Sequence, residues 1–324
     1  MNKLNHPTYD ETVKIIEQLK TIEWESYNGK DLDSYVLRMH KKLTNISKLN
    51  TSFLLHTPYQ FPFNFNFFRV RNFDDIKNPN LRAEYSYPPA CFSTINLRAN
   101  LIGNPVFYCA DHPFVALVEY LVRWQDERNY VDSTFVISNW QLKKGERFLI
   151  APYIEERLED INEFTTLASF SNEQFKRKVD PSTDDDTIDA MRLLKNYLAK
   201  LFIEDEKRTI SSFLGHHNIY RNPIKPPILI YPSVKAEKGM NNYAMHPNFV
   251  DEYLLLSHIW KIRVNSIEKV NNEMKFSFQM LNSFGYVRNH YINWTTISGN
   301  EIQIRQQYRK DFGEEINLEV KHYM

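Results

Sequence analysis

The chain has 324 residues, 42% hydrophobic and 25% charged, with a formal net charge of zero. This is a globular composition, long enough for one large domain or two small ones, and scarce Gly with abundant Phe and Tyr excludes a disordered chain. Scattered Lys and Arg make neither a nucleic-acid stripe nor a polybasic membrane patch, so no direct nucleic-acid partner is expected.

The first residues, Met1-Asn2-Lys3-Leu4-Asn5, lack the apolar core of a secretion signal, and no apolar run approaches a membrane span. A cytoplasmic protein with no membrane partner is the expectation. Residues 1–50 are predicted as an N-terminal helical extension. Val13, Ile16 and Leu19, then Leu32, Tyr35, Val36, Met39 and Leu43, recur at helical spacing. Residues 51–265 are predicted as the main domain. Its first strand is read in "FPFNFNFFRVRN", where Phe alternates with polar residues. The thiols of Cys91 and Cys109 make no disulfide framework and are read as buried and reduced.

The stretch "RANLIGNPVFYCADHPFVALVEYL" holds a loop, a buried strand from Val106 to Ala110 and a helix capped by Asp111 with Pro113 in its first turn. Phe114, Leu117, Val118 and Leu121 make one apolar stripe. Val115 and Val122 make a second surface with Glu119 between them. A carboxylate there pairs with an arginine, reaches solvent or has a task. Further strands are predicted from Ser133 to Trp140 and from Glu146 to Ile150.

Residues 155–220 turn acidic and polar and are predicted as a helical insertion between two strands of the sheet. Met191, Leu194, Leu198 and Leu201 share one face of a helix there. The run Asp184-Asp185-Asp186 suits a solvated helix start better than a metal site. His216-His217 has no acidic or Cys partner at ligand spacing, so no metal is assigned. Strands return at Pro226–Val234, Ile259–Val264 and Met274–Leu281, with Phe276, Phe278 and Met280 on one face. Asn282-Ser283-Phe284-Gly285 is read as a hairpin turn leading into Tyr286–Ile292. Residues 266–324 are therefore predicted as a C-terminal β extension packed on the same domain. The class is α+β, sheet-centred with peripheral helices.

Several separated places invite one explanation. They are Arg69 and Arg71 in "FFRVRN", Arg98 and Asn100 in "NLRAN", Tyr108 in the strand, Glu119 in the helix, and "IYPSV" and "NNYA" with Ser233, Asn241 and Asn242. In this order the set resembles the RES domain, a family of NAD-consuming bacterial toxins. The matching segments cover roughly residues 65–125 and 226–248. Where the family usually has two glycines before the loop arginine, this chain has Asn96 and Leu97.

The resemblance implies a split mixed sheet similar to the ADP-ribosyltransferases, with NAD as substrate and no cofactor or metal. It implies cleavage of the nicotinamide–ribose bond with phosphate or water as acceptor, and an Xre-like antitoxin as protein partner. Glu119 would stabilise the oxocarbenium-like ribose, or hold a ribose hydroxyl or the nucleophile. Arg69 and Arg98 would bind the diphosphate through bidentate forks, with Arg71 a second choice. Tyr108 would stack on nicotinamide or bond the ribose. Ser233 would bond a phosphate or the carboxamide and is not read as a nucleophile. Asn100 and Asn242 would bond ribose or phosphate oxygens. Other readings are ADP-ribosyl transfer to a macromolecule and a non-catalytic RES-like binding module. The insertion and the C-terminal extension could also serve a homo-oligomer interface. No Gly-rich dinucleotide fingerprint follows a strand, which argues against a hydride-transfer dehydrogenase.

Overall fold

A computed structural model describes residues 7–47, 56–62, 65–124, 130–143, 145, 147–154, 184–222, 226–233, 240–270, 273–288, 291–297, 302–313 and 322–323. The chain is mixed α and β around one large sheet. The strands are β1 (Thr57–Gln60), β2 (Asn66–Asn72), β3 (Phe107–Ala110), β4 (Thr134–Leu142), β5 (Arg147–Pro152) and β6 (Ile228–Pro232). They continue with β7 (Asn241–Met245), β8 (Leu254–Val270), β9 (Glu273–Arg288), β10 (Tyr291–Thr296) and β11 (His322–Tyr323). Their spatial order is β1-β5-β6-β7-β3-β2-β4-β8-β9-β10, with β11 also on β9.

β5 and β6 pair in parallel. Parallel neighbours need a crossover, which a tight hairpin cannot supply. The chain between them carries α4 (Asp185–Glu204), α5 (Ile210–His216) and a π-helical turn at His217–Arg221. Residues 155–183 of the predicted insertion lie outside the described residues. Asp184 caps α4 by accepting from the Thr187 amide at 2.8 Å, as the acidic run suggested.

Three apolar clusters hold the layers together. Alternation along β6 sorts its side chains between two of them: Leu229 and Tyr231 to one face, Ile228 and Ile230 to the other. On the first face lie α1 (Tyr9–Lys20), α2 (Leu32–Ser47), α4 and α5. Thr8 and Glu11 form a capping box that starts α1. The buried stripe of α1 is Thr12, Ile15, Ile16 and Leu19, whereas Val13, predicted inward, is exposed. α3 (Pro113–Trp124) and α7 (Ile302–Phe312) cover β2, β4, β8 and β9 through Phe68, Val70, Leu117, Leu121, Trp260, Phe278, Tyr308 and Phe312. The short α6 (Pro247–Tyr253) sits on the remaining face, where Phe249 joins Phe107, Trp140 and Tyr243.

Four expectations are corrected. Asn282–Gly285 is no hairpin turn, since β9 runs through it to Arg288. Its register against β8 steps from Trp260↔Phe284 to Ile262↔Met280, so Leu281, Asn282 and Ser283 bulge opposite Lys261. Gly285 fits between β8 and β10 because a Cβ there would come within 2.9 Å of the Ile292 side chain. The C-terminal extension is not purely β, because α7 lies within it. Cys91 is exposed, in a 3-10 turn at Ala90–Phe92, and only Cys109 is buried. The residue before α3 is His112, whose Nδ1 accepts from the Phe114 amide at 3.3 Å, one position beyond the predicted cap.

His216 is fully buried with no hydrogen-bond partner on either ring nitrogen among the described residues. Burial, aided by Arg221 and His217, lowers its pKa to about 3; burial, aided by His40 and Arg221, lowers that of His217 to about 4. Both stay neutral when folded but protonate in the unfolded chain near the ordinary histidine value of about 6.5. Their contribution is whole above that pH and is lost as pH falls toward 4, by about 1.4 kcal/mol per proton per pH unit. Thermal midpoints measured from pH 7 to 4 should fall, and His216→Gln should flatten that slope by about one proton's worth. An unchanged slope would show that His216 takes up its proton in the native state.

Candidate functional site

Three segments far apart in sequence meet at one carboxylate. Oε1 of Glu119 accepts from Ser233 Oγ at 2.5 Å and from Asn242 Nδ2 at 2.9 Å. α3 supplies the acid, the end of β6 the serine and β7 the asparagine. Asn242 shares a face of β7 with Ala244, which is packed in the core under α1, α4 and α5. The group therefore sits on one sheet face, at the seam between two helical layers.

Each partner is fixed by local structure. The amide of Ser233 donates to Met240 O at 3.0 Å, tying the end of β6 to the start of β7. Asn241, the residue before Asn242, donates its backbone N–H to Asp111 Oδ2 at 3.0 Å and its side-chain amide to the same oxygen at 3.0 Å. Sequence reasoning gave Asp111 only a capping role, and its link to Asn241 had no local signal. Ser233 and Asn242 are buried and Glu119 is half-buried. Both donors hold the same oxygen, Oε1. The other oxygen, Oε2, has no hydrogen bond among the described residues. A carboxylate gripped on one oxygen is oriented, with the second oxygen left to accept from a ligand.

Tyr108 lies diagonally across from Asn242, because β3 and β7 pair Tyr108 with Ala244 and Ala110 with Asn242. Its hydroxyl donates to Asn100 Oδ1 at 2.8 Å and accepts from the Ala99 amide at 2.9 Å. Asn100 is 2% exposed and its amide donates to Ser93 Oγ at 3.2 Å and to Leu101 O at 3.2 Å. Asn100 thus braces its own loop and the Tyr108 hydroxyl. That loop is a tight turn in which Leu97 and Asn100 exchange backbone hydrogen bonds of 3.0 and 3.2 Å. Neither Asn96 nor Leu97 takes a positive φ, so glycine is not required there.

The arginines are dispersed. Arg98 donates to Phe202 O at 2.5 Å and Ile203 O at 2.6 Å, near the C-terminal end of α4, where cations suit the exposed carbonyls. Arg69 donates to Tyr108 O at 2.9 Å, with its guanidinium 5.3 Å from the Phe107 ring centre. Alternation along β2 sends Phe68 and Val70 to the α3 side and Arg69 to the other. Here β2 and β3 share a single pair, Phe68↔Ala110, and the guanidinium takes the carbonyl that a longer ladder would have used. Arg71 bonds Glu84 O and lies 3.7 Å from the Glu84 carboxylate, a structural tie.

The arginine loop leans on the insertion. A Cβ on Gly215 of α5 would lie 2.4 Å from Ala99 Cα. Backbone cannot yield as a side chain can, so Gly215→Ala must push α5 off the loop. The expected cost is about 1–3 kcal/mol or more, read as a lower denaturation midpoint. A midpoint equal to that of the parent would refute this packing.

A second cluster was missed. His258 Nε2 lies 2.5 Å from Asp311 Oδ2, and His258 Nδ1 lies 3.0 Å from Ser257 Oγ. Ser257 and His258, on β8, line a cavity of about 480 Å³ whose lining includes none of Glu119, Ser233 and Asn242. A signal existed for Asp311. It stands one turn after Tyr308 and beside Phe312, an acid within an apolar helical stripe, as Glu119 does in α3.

No described helix is long and apolar enough to cross a membrane, and no group of three His, Cys, Asp or Glu among the described residues could hold a metal ion. No protein-family model matches the chain, and no curated protein sequence does.

Proposed function

We propose that this protein cleaves the nicotinamide–ribose bond of NAD at Glu119, with phosphate or water as acceptor, in the manner of the RES domains it resembles. The observation that carries the reading is the convergence of Glu119, Ser233 and Asn242 from three distant segments. These are residues that the resemblance had named on separate grounds. Departure of nicotinamide leaves positive charge on the ribose, and an adjacent fixed carboxylate stabilises it. Ser233 and Asn242 hold Oε1, so Oε2 meets the ribose or its hydroxyl. Tyr108, braced by Asn100 and the Ala99 amide, forms the adjoining wall. Arg98 would contact the diphosphate only by giving up its α4 carbonyls, and Arg69 lies on the opposite sheet face, so neither carries this reading. A sheet arrangement like that of the ADP-ribosyltransferases and an Xre-like antitoxin over the cleft belong to the same proposal.

The test is incubation of the purified protein with NAD, with and without phosphate, following nicotinamide by chromatography. Release supports the reading, and ADP-ribose-1-phosphate in the phosphate arm names the acceptor. Label transferred from NAD to a macromolecule would replace it with ADP-ribosyl transfer. A non-catalytic RES-like module is a second reading, favoured by the engagement of Arg98 with α4 carbonyls. Intact NAD in both arms would select it.

A further inference from the structure

We propose that Ser257, His258 and Asp311 form a second catalytic group, an acyl-transfer triad for uncharged esters, separate from the Glu119 site. The backbone makes it possible. β4 and β8 step from Asn139↔His258 to Trp140↔Leu256, so Ser257 is an extra residue opposite no partner. In a regular strand neighbours 257 and 258 would point to opposite faces. The bulge re-aims one of them, and both side chains line the same cavity.

The hydrogen bonds then assign roles. Asp311 Oδ2 accepts from His258 Nε2 at 2.5 Å and from Trp260 Nε1 at 2.8 Å, while Oδ1 accepts from Gln307 Nε2 at 2.8 Å and Asn139 Nδ2 at 3.3 Å. A carboxylate met by that many donors is an acceptor, so Nε2 carries the imidazole proton. Nδ1 is left as the base, 3.0 Å from the Ser257 hydroxyl. The His258 ring is also stacked on Phe284 at 5.4 Å, which fixes its plane. Nucleophile, base and orienting acid are thus in series, with the two imidazole nitrogens exchanged relative to chymotrypsin-type enzymes. Ser257 is partly exposed, whereas His258 and Asp311 are buried, the gradient a nucleophile at a cavity wall needs.

The cavity sets the substrate class. Phe284, Tyr286, Thr295, Gln303, Ile304 and Gln307 bring apolar surface, hydroxyls and amides but no charged side chain. At about 480 Å³, and open to solvent where Tyr286 and Gln303 are exposed, it would seat the uncharged acyl end of a small ester. Ser257 Oγ adds to the ester carbonyl carbon while its proton passes to His258 Nδ1. The intermediate collapses, the carbonyl carbon–alkoxide bond breaks and the alcohol leaves with that proton. Water then adds to the acyl-serine by the same relay, releasing the acid and restoring the hydroxyl.

Two measurements on the full chain test this. A fluorophosphonate probe, followed by peptide mass spectrometry, should place one adduct on Ser257. p-Nitrophenyl butyrate hydrolysis should fall by about 10²-fold or more in Ser257→Ala, with NAD cleavage and the circular dichroism spectrum unchanged. An unlabelled wild-type protein, an adduct at another residue, or equal esterase rates in Ser257→Ala would overturn the proposal. The wild-type labelling result does not depend on any variant folding. It also does not depend on NAD, so this idea and the Glu119 reading fail separately.

Discussion

Glu119→Gln should cut nicotinamide release from NAD by about 10²–10⁴-fold while leaving the thermal midpoint within a few degrees of the parent. The substitution is chosen for what it keeps. A glutamine carbonyl at the Oε1 position can still accept from Ser233 Oγ and Asn242 Nδ2, so the seam between the helical layers stays closed. What disappears is the negative charge facing the ribose. The fold-change corresponds to about 3–5 kcal/mol of transition-state stabilisation, the scale expected of an oriented charge shielded from water. Ser233→Ala and Asn242→Ala each remove one of the two grips on Oε1 and should cost less, about 10-fold. Their double variant should not multiply, because both act through one oxygen. Equal rates for Glu119→Gln and the parent would remove Glu119 from the chemistry.

Asp311→Ala should destabilise the fold by about 3–5 kcal/mol, read as a shifted urea midpoint at constant slope. Its side chain is fully buried near the C-terminal end of α7, where the helix dipole disfavours a negative charge. Only the donors around it make the position tolerable. Removing the carboxylate leaves the buried Trp260 and His258 donors without their acceptor, at about 1–3 kcal/mol each, whereas the half-buried Gln307 amide turns to solvent. Asp311→Asn should fall between the two, since its amide group turns donors toward donors. A midpoint for Asp311→Ala close to the parent's would mean that α7 is held by Tyr308 and Phe312 alone. Because this variant loses stability, it is the wrong tool for the esterase question, which is why Ser257 carries that test.

The readable parts of this chain were those in which one residue's neighbours along the sequence are also its neighbours in space. The Val106–Ala110 run, the α3 stripe and the Phe276, Phe278, Met280 face all came through, because period 2 and period 3.6 survive folding. Glu119 was legible as an acid out of place, and its partners only through the resemblance. Arg98 read as a phosphate ligand because nothing local says that α4, a hundred residues on, ends beside it. Asn282–Gly285 looked like a turn because Asn, Ser and Gly favour one, yet the packing of Phe284 against Trp260 carries the strand straight through. Asp311 went unnoticed because its segment had already been read as β. The cavity at Ser257 had no signature at all: a bulge depends on the partner strand, and the pairing of β4 with β8 spans more than a hundred residues.

The lone Phe68↔Ala110 pair gives the carboxylate a mechanical duty as well. α3 is rooted in the β2 side of that narrow waist through Phe68 and Val70, while Ser233 and Asn242 belong to the β6–β7 side. The two hydrogen bonds to Oε1 therefore act as rivets across the waist. A guest that settles on Oε2 leaves the rivets in place, whereas one that captures Oε1 leaves the waist to the Arg69–Tyr108 and Asp111–Asn241 ties.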